Sequence, residues 1–210
     1  VQPVFNETTL VTICNRLAKK DDAIKSIIEQ YGYPPFWNRR ASFETLVHII
    51  LEQQVSLASA KAALTQLKEK IGSVTPQKIL LLSDAALKAC YFSRQKIKYS
   101  RCLAEAVVSG ELSIVILASL SDEEIRSALT KIKGIGNWTV DVFLMMVLHR
   151  TDLFPTGDIA LMNSVKRVKQ LPSHTSKESI LELAEQWRPY RTVAAFIFWH
   201  AYIKRKNIQY

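Results

Sequence analysis

The sequence predicts an all-α protein. Apolar residues recur at three- and four-residue intervals through most of its 210 positions, glycine is scarce at six residues, and no alternating apolar/polar run is long enough for a strand. At 48% apolar residues, a chain of this length can bury one sizeable core or two small ones sharing an interface. It contains no low-complexity tract or loose linker, so the helices are expected to pack as one body in two lobes.

The elements follow in order. Leu10 to Tyr31 reads as one or two amphipathic helices, and Pro34-Pro35-Phe36-Trp37 ends that pattern because proline cannot extend a helix. Ser42 is placed to cap Phe43 to Gln54, Ser56 to cap a helix ending at Gly72, and Pro76 suits the first turn of a short helix. Ser83 and Ser93 are further caps. Ser121 and Glu124 have the spacing of a capping box ahead of Ile125 and Leu129, and Thr175 with Glu178 repeats it.

Several function classes are disfavoured at once. The longest apolar stretches, Val142 to Leu148 and Thr192 to Ile203, fall short of the ~18 residues of a membrane span, and no secretory signal is visible. Cys14, Cys90 and Cys102 have no paired spacing, and His48, His149, His174 and His200 form no ligand set, so neither a disulfide framework nor a catalytic metal is expected. A reducing compartment fits: the cytoplasm and nucleoid of a bacterium, or the nucleus of a eukaryote. The 28 Lys and Arg against 19 Asp and Glu leave a net charge of +9, which favours a polyanionic partner.

The segment Leu129-Thr-Lys-Ile-Lys-Gly-Ile-Gly-Asn-Trp138 joins the helix opened by Ser121 to an apolar helix starting at Asn137 or Trp138. Gly134 and Gly136 can adopt backbone angles closed to other residues and let a phosphate approach the main chain, while Ile135 plugs inward. The free N–H groups of the next helix would face that phosphate. The plain alternative is a tight turn between packed helices.

These residues, together with Pro35-Phe-Trp-Asn-Arg-Arg40, Glu52-Gln-Gln-Val-Ser56, Phe92-Ser-Arg-Gln-Lys96, Phe154-Pro-Thr-Gly-Asp158, Trp187-Arg-Pro-Tyr-Arg191 and Phe198-Trp-His200, resemble the helix-hairpin-helix DNA glycosylases, specifically the 3-methyladenine DNA glycosylase II group. The resemblance runs from about Pro34 to Tyr202. It implies one lobe of residues 1–40 with 151–210 and a second of 41–150 that carries the hairpin at about 121–149, with the hairpin and Asp158 flanking a cleft.

The resemblance further implies a cofactor-free monomer that hydrolyses the N-glycosidic bond of alkylated purines such as 3-methyladenine and 7-methylguanine in double-stranded DNA. Asp158 is its catalytic carboxylate, in a position that also suits a helix cap. One carboxylate suffices, because a purine alkylated at N3 or N7 already carries positive charge. Such a base is attracted by aromatic walls; Trp138 and Trp199 are the first candidates, Trp37, Tyr190 and Trp187 the secondary ones. Lys133, Gly134, Ile135, Gly136, Asn137 and Thr139 form the DNA-binding hairpin, and Gln53 or Gln54 fills the gap left by the flipped base. The carbonyls of Thr130, Ile132 and Ile135 match positions that hold a monovalent cation. Tyr91 stands where the pattern has glycine.

Relatives that also cut the strand have a lysine where this chain has Trp138, so release of the base without strand cleavage is expected. The competing readings are a same-fold glycosylase for oxidised or mismatched bases, a non-catalytic helix-hairpin-helix DNA-binding module, and a helical protein-interaction domain. The last leaves the basic charge and the glycine turn unexplained.

Overall fold

The computed structural model describes residues 3–208. Among them the regular structure is helical, apart from an isolated antiparallel bridge between Val4 and Arg150, as the all-α expectation required. The helices in chain order are α1 (Glu7–Ala18), α2 (Asp22–Tyr31), α3 (Phe43–Glu52), α4 (Leu57–Ile71), α5 (Pro76–Leu81), α6 (Asp84–Ala89) and α7 (Arg94–Val108). They continue with α8 (Ile114–Leu117), α9 (Asp122–Thr130), α10 (Asn137–Met146), α11 (Ile159–Val168), α12 (Lys177–Ala184) and, after a 3-10 turn at Glu185–Trp187, α13 (Arg191–Arg205). None of these is long and apolar enough to cross a membrane.

Helix starts are set locally. Ser42, Ser56, Ser83, Ser93 and Ser121 each precede a helix in extended conformation and accept the N–H of the third residue on, satisfying a donor that helix geometry orphans. Ser121 and Glu124 complete their capping box. Thr175 departs from expectation: Ser176 caps α12, and the Thr175 hydroxyl instead donates to the Pro172 carbonyl at 2.8 Å, closing the turn before it. Asp21, unpredicted as a cap, divides the first amphipathic stretch into α1 and α2. Helix α3 stops at Glu52, two residues short of the expected end, because Gln53 leaves helical geometry with ψ 122°; Gln54 follows with a left-handed φ of 58°.

The chain forms two compact units. One comprises the described residues up to Asn38 and those from Leu144 on; the other is Arg39–Phe143, so the division falls inside α10. The first unit is organised on α13, where every residue from Thr192 to Ala201 is buried, against α1, α2 and α11. A helix apolar on all sides must be covered on all sides. Trp187, just before it, is fully buried and donates its indole N–H to Asp21 at 2.8 Å, so it belongs to the core and is corrected as an aromatic-wall candidate. Burial would push the Asp21 carboxyl up, but hydrogen bonds from Lys169 and Trp187, and the Lys169 charge 2.8 Å away, hold it below its ordinary range.

The second unit is organised on α3. Its Leu46, Val47, Ile49, Ile50 and Leu51 are wholly buried, with α4 and α7 packed against it and α5 and α6 against α7. The turn leading into α7 carries Tyr91 at φ 63°, with its side chain exposed. The turn closes nonetheless: Tyr91 N–H donates to the Lys88 carbonyl at 2.9 Å and Phe92 N–H to that of Leu87 at 3.2 Å. A left-handed conformation costs an L-residue about 1–2 kcal/mol. Tyr91→Gly is therefore expected to raise the unfolding free energy by about 1 kcal/mol, seen as a higher denaturant midpoint. An unchanged or lower midpoint would mean that the exposed ring contributes more than the strain removes.

Candidate active site

Asp158 ends the turn Phe154-Pro-Thr-Gly-Asp158, with its N–H donating to the Pro155 carbonyl at 3.0 Å. It is the N-cap of α11: its Oδ1 accepts the Leu161 N–H at 2.7 Å. The same oxygen accepts the indole N–H of Trp199, from α13, at 3.1 Å. Two donors from different helices thus fix one carboxylate oxygen, at the helix end where the macrodipole favours negative charge. The neighbouring Ile159 is 76% exposed, which puts this end of α11 at the surface.

Trp199, hydrogen-bonded to Asp158, meets Trp37. Their ring centroids lie 6.4 Å apart, edge to face, and both pack on Phe196, Trp37 at 5.0 Å and Trp199 at 6.0 Å. Phe5 also packs edge-on with Phe196, at 5.6 Å. Each tryptophan is only 7% exposed, so each offers a rim and no open face. His149 donates from Nε2 to the Trp37 carbonyl at 3.3 Å and stacks on Phe36 at 4.4 Å; burial holds its pKa below the usual value. Tyr190 is not part of this cluster. It lies nine residues before Trp199, roughly 13 Å along the helix, and its hydroxyl accepts from Arg16 of α1 at 3.1 Å. Trp138 belongs to the other unit, half-buried in the first turn of α10.

In that second unit, α9 and α10 flank the glycine turn. Gly134 has φ 95°, and a Cβ built on it would lie 2.0 to 2.6 Å from Tyr99 ring and Cβ carbons. This glycine is required by the packing of α7 against the turn. Gly136 differs from expectation: its φ is outside the left-handed range, and a Cβ there would meet nothing within 4 Å. Ile135 is buried as the inward plug. The Gly136 carbonyl accepts the Val140 N–H at 3.2 Å, so α10 begins at Asn137. The Asn137 side chain accepts from Arg126 of α9 at 3.0 Å, and the same guanidinium donates to Asp141 at 2.5 Å, bolting the two helices together. Burial pushes the Asp141 carboxyl up despite the pull of Arg126.

Lys133 is exposed beside the turn, and its ammonium lies close enough to that of Lys98 to pull Lys98 below its ordinary pKa. Positive charge is thereby concentrated on the hairpin flank. Thr130 ends α9, where carbonyls lack helical partners, and the Ile132 carbonyl accepts the Ile135 N–H at 3.0 Å while retaining a second lone pair. With that of Ile135, these neutral oxygens have the donor chemistry of a hard monovalent cation. No group of three or more His, Cys, Asp or Glu suited to a metal occurs among the described residues.

The two adjacent glutamines separate. Gln53 is half-buried, its Nε2 donating to the Gly134 carbonyl and to the Thr139 hydroxyl, each at 2.9 Å. Gln54 is exposed. Sequence reasoning did not identify three supporting residues: Arg39, which donates to both Glu52 oxygens at 2.9 and 2.7 Å, Glu52 itself, and Lys96, which donates to the Leu51 carbonyl. All three lay in blocks that carried the resemblance, as charged residues without an assigned role. Gly134→Ala should destabilise the fold by about 2 kcal/mol or more, from left-handed strain and overlap with Tyr99. Gly136→Ala should cost under about 1 kcal/mol, as for a replaced helix cap. Chemical denaturation of both variants checks the contrast, and equal losses would refute it.

Comparison with known proteins identifies the family. A family model described as HhH-GPD superfamily base excision DNA repair protein matches residues 47–189. The DNA-3-methyladenine glycosylase 1 of Schizosaccharomyces pombe is 31% identical over 91% of this chain and 87% of its own length. A putative DNA-3-methyladenine glycosylase of Bacillus subtilis is 29% identical over 85% of this chain and 65% of its own. Among solved structures, the S. pombe 3-methyladenine DNA glycosylase in complex with abasic DNA superposes with a TM-score of 0.83 at 31% identity, covering 90% of this chain and 95% of that one. With the family match spanning most of the chain and that similarity extending through both units, the chain belongs to the HhH-GPD superfamily of base excision DNA repair proteins.

Proposed function

We propose that this chain is a monofunctional glycosylase that flips alkylated purines out of double-stranded DNA, hydrolyses their N-glycosidic bond and leaves the strand intact. The observation that carries the reading is the Asp158 carboxylate, which caps α11 by accepting the Leu161 N–H and also accepts the indole N–H of Trp199. The names of the S. pombe and B. subtilis relatives support the substrate class.

A 3- or 7-alkylated purine is a cationic leaving group, so departure needs no general acid. What the transition state needs is negative charge beside an oxocarbenium-like sugar, preorganised so that it does not reorient during reaction. Asp158 supplies the charge. Trp199 is a positioning residue on its Oδ1, and Trp37 with Phe196 holds Trp199 in place. The hairpin grips the DNA backbone through the open face of Gly136 and the first N–H groups of α10, with Lys133 and Lys98 adding charge. A monovalent cation bound by the Thr130, Ile132 and Ile135 carbonyls would add to that grip. Gln54, exposed and next to the tethered Gln53, is the side chain that fills the vacated space.

Asp158→Asn keeps an oxygen able to accept from Leu161 and Trp199 but removes the charge. It is expected to fold normally and bind DNA, while single-turnover release of 7-methylguanine falls by about 100-fold or more. Undiminished release would remove Asp158 from the chemistry.

The intact-strand outcome rests on Trp138. An indole has no nucleophilic amine, so no Schiff base with the sugar can form at that position. Borohydride added during turnover should trap no protein–DNA adduct, and the product strand should break only after alkali or heat. A trapped adduct would establish that a lysine acts as nucleophile.

A further inference from the structure

We infer that Gln53 is a positioning residue which ties the wedge to the phosphate-gripping hairpin, so that the two engage DNA in a fixed register; the inference rests on the glycosylase reading above. At the end of α3, three consecutive residues are each tethered to a different part of the unit. The Leu51 carbonyl accepts from Lys96 of α7. Glu52, 8% exposed, is held on both oxygens by Arg39. Gln53 reaches across more than eighty residues of sequence to the Gly134 carbonyl and the Thr139 hydroxyl, on either side of the hairpin's open glycine. The fourth residue, Gln54, is then directed into solvent with φ 58°.

Such a left-handed glutamine is strained and persists only where its surroundings over-determine it. The three tethers do so. A flexible loop entering a base stack would lose its freedom on insertion, whereas a braced one has lost it already. Phosphate contacts set where a protein sits along the duplex. Because Gln53 spans from the wedge to the turn that makes them, the wedge meets one base step and not its neighbour.

The defect expected from breaking the tether is confined to duplex substrate, since a lesion in a single strand needs little flipping. Gln53→Glu is nearly isosteric but has no N–H for the Gly134 carbonyl, and Thr139→Val removes the hydroxyl at constant shape, whereas Thr139→Ser retains it. Single-turnover release of 7-methylguanine is measured for the unaltered chain and these variants, on the annealed duplex and on the same strand alone. Gln53→Glu and Thr139→Val should each lose about tenfold on duplex, the scale of a lost hydrogen bond, and under about twofold on single strand. Thr139→Ser, which keeps the hydroxyl, should recover most of the duplex release that Thr139→Val loses. Equal losses on both substrates, or none on duplex, overturn the inference and leave the function standing. No release from either substrate by the unaltered chain overturns the function itself, and the inference with it.

Discussion

One hydrogen bond, from the indole N–H of Trp199 to the carboxylate of Asp158, ties the start of α11 to the core of the first unit. It joins the N-cap of α11 to the most buried helix of the unit, so the position of the charge depends on the packing of α13 against α1, α2 and α11. The aromatic residues follow from it. Phe196 supports Trp199 and Trp37, and Phe5 backs Phe196 from a segment pinned by its N–H to the His149 carbonyl at 3.0 Å. On the proposed reading, preorganisation of this kind is what makes a single carboxylate effective, because a group already aimed does not have to be reoriented as charge develops.

The second unit meets a different demand, that of holding a turn with exposed main chain without losing the fold around it; on the proposed reading that main chain meets a phosphate. A turn that exposes main chain forgoes packing on that side, so its other side must be secured. Gly134 lies against Tyr99, Ile135 is buried, and Arg126 couples α9 to α10 through Asn137 and Asp141. The glutamine at the end of α3 adds the last support. The same two glycines therefore serve opposite purposes, one accommodating a neighbour and the other leaving space.

The two units also differ in how they use charge. The carboxylate of Asp21 is enclosed by Lys169, Trp187 and the start of α2, a self-contained arrangement that stabilises without leaving charge for a ligand. Around the hairpin, the ammoniums of Lys98 and Lys133 stand side by side at the surface. Like charges so placed are relieved by an anion, which accords with the net charge of +9 and with a polyphosphate partner.

Helix existence, most caps, the plug at Ile135 and the helix-start position of Asp158 were legible in the sequence, because each depends on residues within a few positions of one another: apolar period, a capping hydroxyl or carboxylate, a glycine. Thr175 was misread because two hydroxyl residues stood side by side, and local spacing could not say which would take the Pro172 carbonyl. Gln53 and Gln54 stayed inseparable, since only a partner some eighty residues away distinguishes anchor from exposed side chain. The equivalence expected of Gly134 and Gly136 failed for the same reason, Tyr99 being what fills the space over one and not the other. The sequence alone determined most of the helices and their starts and the residue types available for chemistry, all governed by short-range sterics and hydrogen bonding. Which oxygen Trp199 holds, which glutamine is tethered and which glycine is open were decided only by tertiary packing, because those contacts join residues that the chain brings together only when it folds.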